Sequence, residues 1–178
     1  LAYYSPTAEL HLAHILEKKK SLKNNEDILG IICDGKFGGC SVNPLGTKGI
    51  CYCCQRRAEH ICKLAKIKNV KLSKFLNPIN YKKINVPKNV IYGAMSSIAS
   101  HTRVDSIGDL SFAWLIIFKR LLKASKKTYI SIFNLIEHYS LEEIFIFNGR
   151  FSCAKAAKEA SRNKKINFSV FDLRGNIN

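Results

Sequence analysis

Acidic residues are scarce in this chain. Only 13 Asp and Glu stand against 29 Lys and Arg, which leaves a formal charge of +16 over 178 residues. Such a balance favours phosphorylated substrates, anionic lipid headgroups or nucleic acid as partners without choosing among them. Long apolar runs are also missing. The most apolar stretch, Phe112–Phe118, is far shorter than the roughly 20 residues that a membrane-spanning helix needs. Leu1–Thr7 contains no basic segment leading into an apolar one, so no secretory signal is expected there. Internal repeats and low-complexity tracts are absent, which sets aside solenoids and compositionally disordered chains.

What is present suits one globular core. Apolar residues make up 47% of the chain and aromatics 10%, and a chain of this size removes about 70% of its unfolded surface from water on folding. A single domain over residues 1–178 is the expectation. Seven cysteines without an export signal point to reduced thiols in the cytoplasm, where clustered cysteines bind metal or do chemistry more often than they form disulfides. The charge also allows a peripheral contact with the inner face of an anionic membrane.

Strand and helix signals alternate along the chain. Leu1-Ala2-Tyr3-Tyr4 reads as the end of a strand or the loop after it. Ser5-Pro6 then offers an N-cap and a first-turn proline to a helix whose stripe is Ala8, Leu12, Ile15 and Leu16. His11 and His14 flank that stripe and read as two polar residues on a half-exposed helix. Asp27–Cys33 is a short continuous apolar run, as in a strand buried on both faces. Residues 34–52 hold half of the ten glycines and read as a long loop, followed by a helix over Gln55–Ile67. Lys68–Asn89, basic and broken by prolines, suits irregular structure with one short strand. Val90–Tyr139 has a helical pattern with breaks at Ser96-Ser97 and Gly108, and Trp114, Phe118 and Leu121 or Leu122 form a core stripe. Lys119, Arg120, Lys123, Lys126 and Lys127 crowd the end of its strongest helix, where cations suit the helix dipole.

The last forty residues predict a βαβ unit: strand Ile144–Phe147, turn Asn148-Gly149-Arg150, helix Ser152–Asn163 and strand Phe168–Phe171. Right-handed crossover makes the two strands parallel. Asn148, Gly149, Arg150, Asp172, Arg174 and Gly175 should then share the carboxyl edge of the sheet, where open α/β sheets bind ligands. Glu9, near the start of the first helix, should approach the same rim. The fold class expected is α/β, a Rossmann-like three-layer α/β/α arrangement with a mostly parallel sheet and a cysteine-rich loop, residues 33–54, inserted after an early strand.

Cys33, Cys40, Cys51 and Cys54 follow a C-x6-C-x10-C-x2-C spacing. Two cysteines three apart at a turn can aim both sulfurs at one ion, so the four form a candidate closed zinc site, with an iron–sulfur cluster as the alternative. Cys53 could replace Cys54, and His60 is a spare ligand. Buried packing is the competing account of these thiols, and it is the preferred one for Cys62 and Cys153.

Tyr4-Ser5-Pro6 with Glu9, Cys33-Asp34-Gly35 through Cys40 to Cys51 and Cys54, and Phe147-Asn148-Gly149-Arg150-Phe151 together resemble bacterial capsule and O-antigen glycosyltransferases of the two-domain GT-B-like type. The family's Glu-Arg-Gly corresponds to Leu173-Arg174-Gly175 here, so its acidic residue is absent or displaced to Asp172. The resemblance implies an amino-terminal, acceptor-side domain of a nucleotide-sugar-dependent glycosyltransferase in capsular polysaccharide or lipopolysaccharide biosynthesis. Its partners would be a glycan or lipid-linked acceptor and a nucleotide-sugar bound mainly by a missing carboxyl-terminal domain, and the fragment alone would be inactive. The alternatives are a basic, zinc-containing nucleic-acid-binding module and a noncatalytic assembly or regulatory domain. The dispersed lysines speak against nucleic acid as a partner.

Overall fold

Short apolar runs alternate with amphipathic stretches, and in three dimensions this produces a parallel sheet with helices on both sides. The computed structural model describes residues 1–4, 9–22, 27–77 and 85–171, with side chains in the first helix from Leu12 onward. The strands are β1 (Ala2–Tyr4), β2 (Leu29–Ile32), β3 (Lys68–Lys71), β4 (Glu143–Phe147) and β5 (Asn167–Phe171). They lie in the order β3-β2-β1-β4-β5, every neighbouring pair parallel. The helices are α1 (Glu9–Ser21), α2 (Lys48–Leu64), α3 (Lys88–Thr102), α4 (Phe112–Tyr139) and α5 (Ser152–Asn163).

Alternation along the central strands sorts the core into two faces. Tyr3 of β1 and Phe145 of β4 point to one side and meet Ile15 of α1 with Ile61 and Ala65 near the end of α2. Ala2 and Tyr4 of β1, with Ile144 and Ile146 of β4, point to the other and meet Tyr129, Ile130 and Leu135 of α4 and Ala156, Ala157 and Ala160 of α5. A third apolar cluster joins Ala94 and Ile98 of α3 to Phe118 and Leu121 in the first half of α4. The Rossmann-like α/β expectation therefore holds at the level of sheet and layers.

Two expected boundaries move. Helix α2 starts at Lys48, so the loop after β2 is shorter than its glycines suggest and Cys51, Cys53 and Cys54 are helical. Gly49 costs little in the first turn, where the backbone lacks intrahelical partners in any case. The Ser96-Ser97 pair does not break α3. Ser97 Oγ donates to the Gly93 carbonyl oxygen at 3.1 Å and accepts the backbone N–H of Ser152 at 2.9 Å. That N–H opens α5, whose own N-cap, Phe151, offers no side-chain acceptor.

Helix α4 matters for the site because of its length. Ser140, at φ 48, turns the chain directly into β4, so α4 runs antiparallel to that strand. Its 28 residues extend roughly 42 Å, whereas the five of β4 cover about 17 Å. The first half of α4 consequently projects past the carboxyl edge of the sheet. No helix among the described residues is long and apolar enough to cross a membrane.

Candidate functional site at the carboxyl edge

Crossovers run to one side of the sheet from β1 and to the other from β4, so a crevice opens between those two strands at their carboxyl ends, the usual ligand position in such sheets. Two adjoining cavities occupy it. The inner one, about 60 Å³, is walled by Tyr4 at the end of β1, Cys33 just after β2, Cys40 and Ser41 of the following loop, Cys51, Cys54 and Ala58 of α2, and Cys153 of α5. The outer one, about 190 Å³, is bordered by Ser100 and His101 of α3, Phe147 and Asn148 at the end of β4, and Phe151. Ser41 and Ala154 belong to both walls. A further cavity of about 390 Å³ lies at the opposite, amino edge, beside Asp27, Lys68 and Glu142.

The loop between β2 and α2 is pinned by Phe37 in the core and by the buried side-chain amide of Asn43. Asn43 Nδ2 donates to the Thr47 carbonyl oxygen at 2.9 Å and to Cys51 Sγ at 3.2 Å, and Asn43 Oδ1 accepts the Thr47 N–H at 3.0 Å. Its backbone exchanges hydrogen bonds with Cys40, N–H to carbonyl oxygen in both directions at 3.1 Å. Gly35, Gly38 and Gly46 supply the left-handed backbone that this tight path needs. Helix α2 then presents Cys51, Cys54 and Ala58 to the chamber at helical spacing.

Burial favours the protonated form of Cys33, Cys40, Cys54 and Cys153. Burial drives Cys33 up to about 12, reinforced by the neighbouring Cys153 thiol. Cys40 rises to about 11 for the same two reasons in the same order. Burial also raises Cys153 and, with the Cys51 thiol beside it, Cys54. A neutral thiol is a weak nucleophile and behaves as a small, polarisable apolar group.

The expected metal centre is not shown. Cys33, Cys40, Cys51 and Cys54 do gather around one cavity, but no group of three or more His, Cys, Asp or Glu among the described residues is placed to hold a metal ion. Cys51 and Cys54 are one helical turn apart on α2, and Asn43 orders the loop beside them. Cys53 is exposed. Cys153, read as core, is a wall of the chamber, whereas Cys62 is buried with Ile61 on the inward side of α2.

The rim residues separate. Asn148 borders the outer cavity and adopts φ 56, with its N–H donated to the Phe171 carbonyl oxygen at 2.9 Å. Gly149 is buried because a Cβ there would stand 2.9 Å from Val170 Cγ2. Arg150 is exposed, and its guanidinium lies 4.5 Å from the centre of the Phe151 ring, outside both cavities. Asp172, Arg174 and Gly175 lie outside the described residues, as does the side chain of Glu9. His14 packs its ring against Tyr3, Phe145 and Phe171, away from the crevice. Sequence reasoning passed over His101 and Ser41. His101 stacks near Trp114, centroids 6.2 Å apart, with Nε2 3.1 Å from the Ser41 carbonyl oxygen.

No family model matches the sequence, and no curated protein matches it. Among solved structures the chain is similar to a CDPS from Fluoribacter dumoffii, with a TM-score of 0.58 and 13% identity over 96% of this chain and 87% of that one. The shared property is the fold. It extends along nearly all of the CDPS chain and overturns the reading of this chain as the acceptor-side half of a capsule or lipopolysaccharide glycosyltransferase. Glycan and lipid-linked acceptors, a nucleotide-sugar and an anionic membrane lose their support with it. The Phe147-Asn148-Gly149-Arg150 resemblance has a local cause, because a left-handed Asn and a glycine packed on β5 are what this strand-to-helix junction requires.

Proposed function

We propose that this chain acts on aminoacyl-tRNA and joins two aminoacyl groups into a cyclic dipeptide, the activity that the name cyclodipeptide synthase, CDPS, describes. The observation that carries the reading is the two-part crevice at the carboxyl edge of a fold shared with a CDPS along nearly its whole length. In the reaction the α-amine of one aminoacyl group attacks the ester carbonyl of another. A C–N bond forms, the ester C–O bond breaks, and the first tRNA 3′ hydroxyl leaves with the proton that the amine gives up. The free α-amine of the resulting dipeptidyl-tRNA then attacks its remaining ester carbonyl, forming the second C–N bond and releasing the second tRNA 3′ hydroxyl with the cyclic dipeptide.

The surroundings of the crevice fit such a substrate. Lys119, Arg120 and Lys123 are exposed on the projecting half of α4, and the Arg120 guanidinium donates to the carbonyl oxygen of Leu45, in the loop that walls the chamber. A cationic arm beside an uncharged cavity suits a polyanion that carries a small acyl group at its tip. The outer cavity supplies polar groups in Asn148, Ser41, Ser100 and His101. The experiment is incubation of the full chain with a mixture of aminoacyl-tRNAs and mass spectrometry of the small products. Dipeptides that form only from charged tRNA are expected, and rates should fall steeply with salt. An empty product spectrum from a folded protein, with no salt-sensitive tRNA binding, would remove the reading.

A further inference from the structure

The crevice chemistry leaves Cys51 and Cys54 without a role. Both are half-buried and both wall the inner chamber, so their side chains leave α2 on the same side. Residues three apart on a helix have Cα atoms about 5 Å apart, inside the roughly 4.4–6.8 Å that a disulfide spans. Cys33, Cys40 and Cys153 reach the chamber from outside α2. Of the chamber's thiols, only this pair has its spacing fixed by the geometry of one helix. Cys53, which lies between them in sequence, is exposed and outside the chamber. Cys51 is also tied to the loop before α2. Its Sγ accepts the Asn43 side-chain N–H at 3.2 Å, and a Cβ on Gly35 would stand 2.7 Å from its own Cβ.

We infer that Cys51 and Cys54 are a redox-sensitive dithiol, which a peroxide joins in a reversible disulfide that frees Asn43 and loosens the loop walling the crevice. The setting suits such a pair. Strands β2 and β3 are parallel neighbours with α2 between them in sequence, and a C-x2-C pair in a βαβ pattern is a common place for redox thiols. In the first step the Cys51 sulfur attacks a peroxide oxygen and the O–O bond breaks. Cys51 becomes a sulfenic acid, and one water leaves with the thiol proton. The Cys54 sulfur then displaces that hydroxyl: the S–S bond forms, the S–O bond breaks, and a second water carries off the second thiol proton. Two electrons pass from the dithiol to hydrogen peroxide. None of this requires aminoacyl-tRNA.

The test treats the reduced full chain briefly with hydrogen peroxide, alkylates it with iodoacetamide and maps the tryptic peptide of residues 49–56, which holds Cys51, Cys53 and Cys54, by mass spectrometry. A peptide alkylated on Cys53 alone and bridged between Cys51 and Cys54 is expected, and dithiothreitol before alkylation should restore all three sites. Cys54→Ser, checked for folding by circular dichroism, should leave on Cys51 a sulfenic acid that dimedone traps. Cys51→Ser should give neither bridge nor adduct at that position, whereas Cys53→Ser should keep the bridge. In the oxidised chain, amide exchange across residues 43–47 should quicken by roughly threefold or more. Three alkylated cysteines after peroxide, higher oxidation without a bridge, or a bridge through Cys33, Cys40, Cys53 or Cys153 would overturn the proposal. Unchanged exchange in the bridged chain would do the same.

Discussion

Asn43 is the residue on which the site most depends. It is 3% exposed, and its amide makes the hydrogen bonds that close the loop between β2 and α2. Asn43→Leu should destabilise the chain by about 1–3 kcal/mol, since it removes the side-chain partner of the part-buried Thr47 N–H and carbonyl groups, and hydrogen exchange should localise the loss to this loop. The thiols predict an alkaline weakness. Below their unfolded values, near 9, Cys33 and Cys40 are protonated whether or not the chain is folded. As pH rises from there toward about 11 to 12 the unfolded chain releases protons that the folded one keeps, so stability falls with increasing pH. Denaturant midpoints between about pH 8 and pH 11 should show that decline, and Cys33→Ala with Cys40→Ala should flatten it. Mass spectrometry of a brief iodoacetamide reaction should find exposed Cys53 modified well before Cys33, Cys40 or Cys153.

At the scale of elements, α5 depends on α3. Ser97→Ala removes the acceptor for the Ser152 N–H and should cost about 1–3 kcal/mol, most of it the price of an unpaired buried donor; urea denaturation would measure it. Gly93 lets the same two helices meet, because a Cβ there would lie 2.6 Å from Lys155 Cβ. The βαβ unit of β4, α5 and β5 was legible in the sequence almost residue for residue, since two short apolar runs flank one strongly amphipathic helix. Helix α2 was less so. Gly46 and Gly49 look like loop residues, and the register that places Cys51 and Cys54 on a helix depends on the Asn43 turn, which no local pattern announces. The cysteines were visible as a group, yet their purpose was not, because spacing records neither protonation nor the distance between sulfurs. Ser97 and His101 carried no signal at all, since their partners lie 55 and 60 positions away.

Across the whole molecule, the excess positive charge has one organised expression beside the crevice. Replacing Lys119, Arg120 and Lys123 together by Glu should weaken tRNA binding by more than tenfold at low salt and reduce the salt dependence, whereas the melting temperature should barely move, because exposed charges support little core. Filter binding over a salt series, run beside a thermal melt, separates those outcomes.

The pairing of Ala2 with Ile144 and of Tyr4 with Ile146 joins strands far apart in sequence at the centre of the sheet. A central strand completed by so distant a partner makes the contact order high and folding slow. On the ribosome, β1 could pair with β2 early but would keep its second edge bare until β4 had emerged. While the residues between β1 and β4 are being made, the nascent chain would therefore expose a tyrosine-bearing strand edge, an opening for mispairing that a holding chaperone would cover.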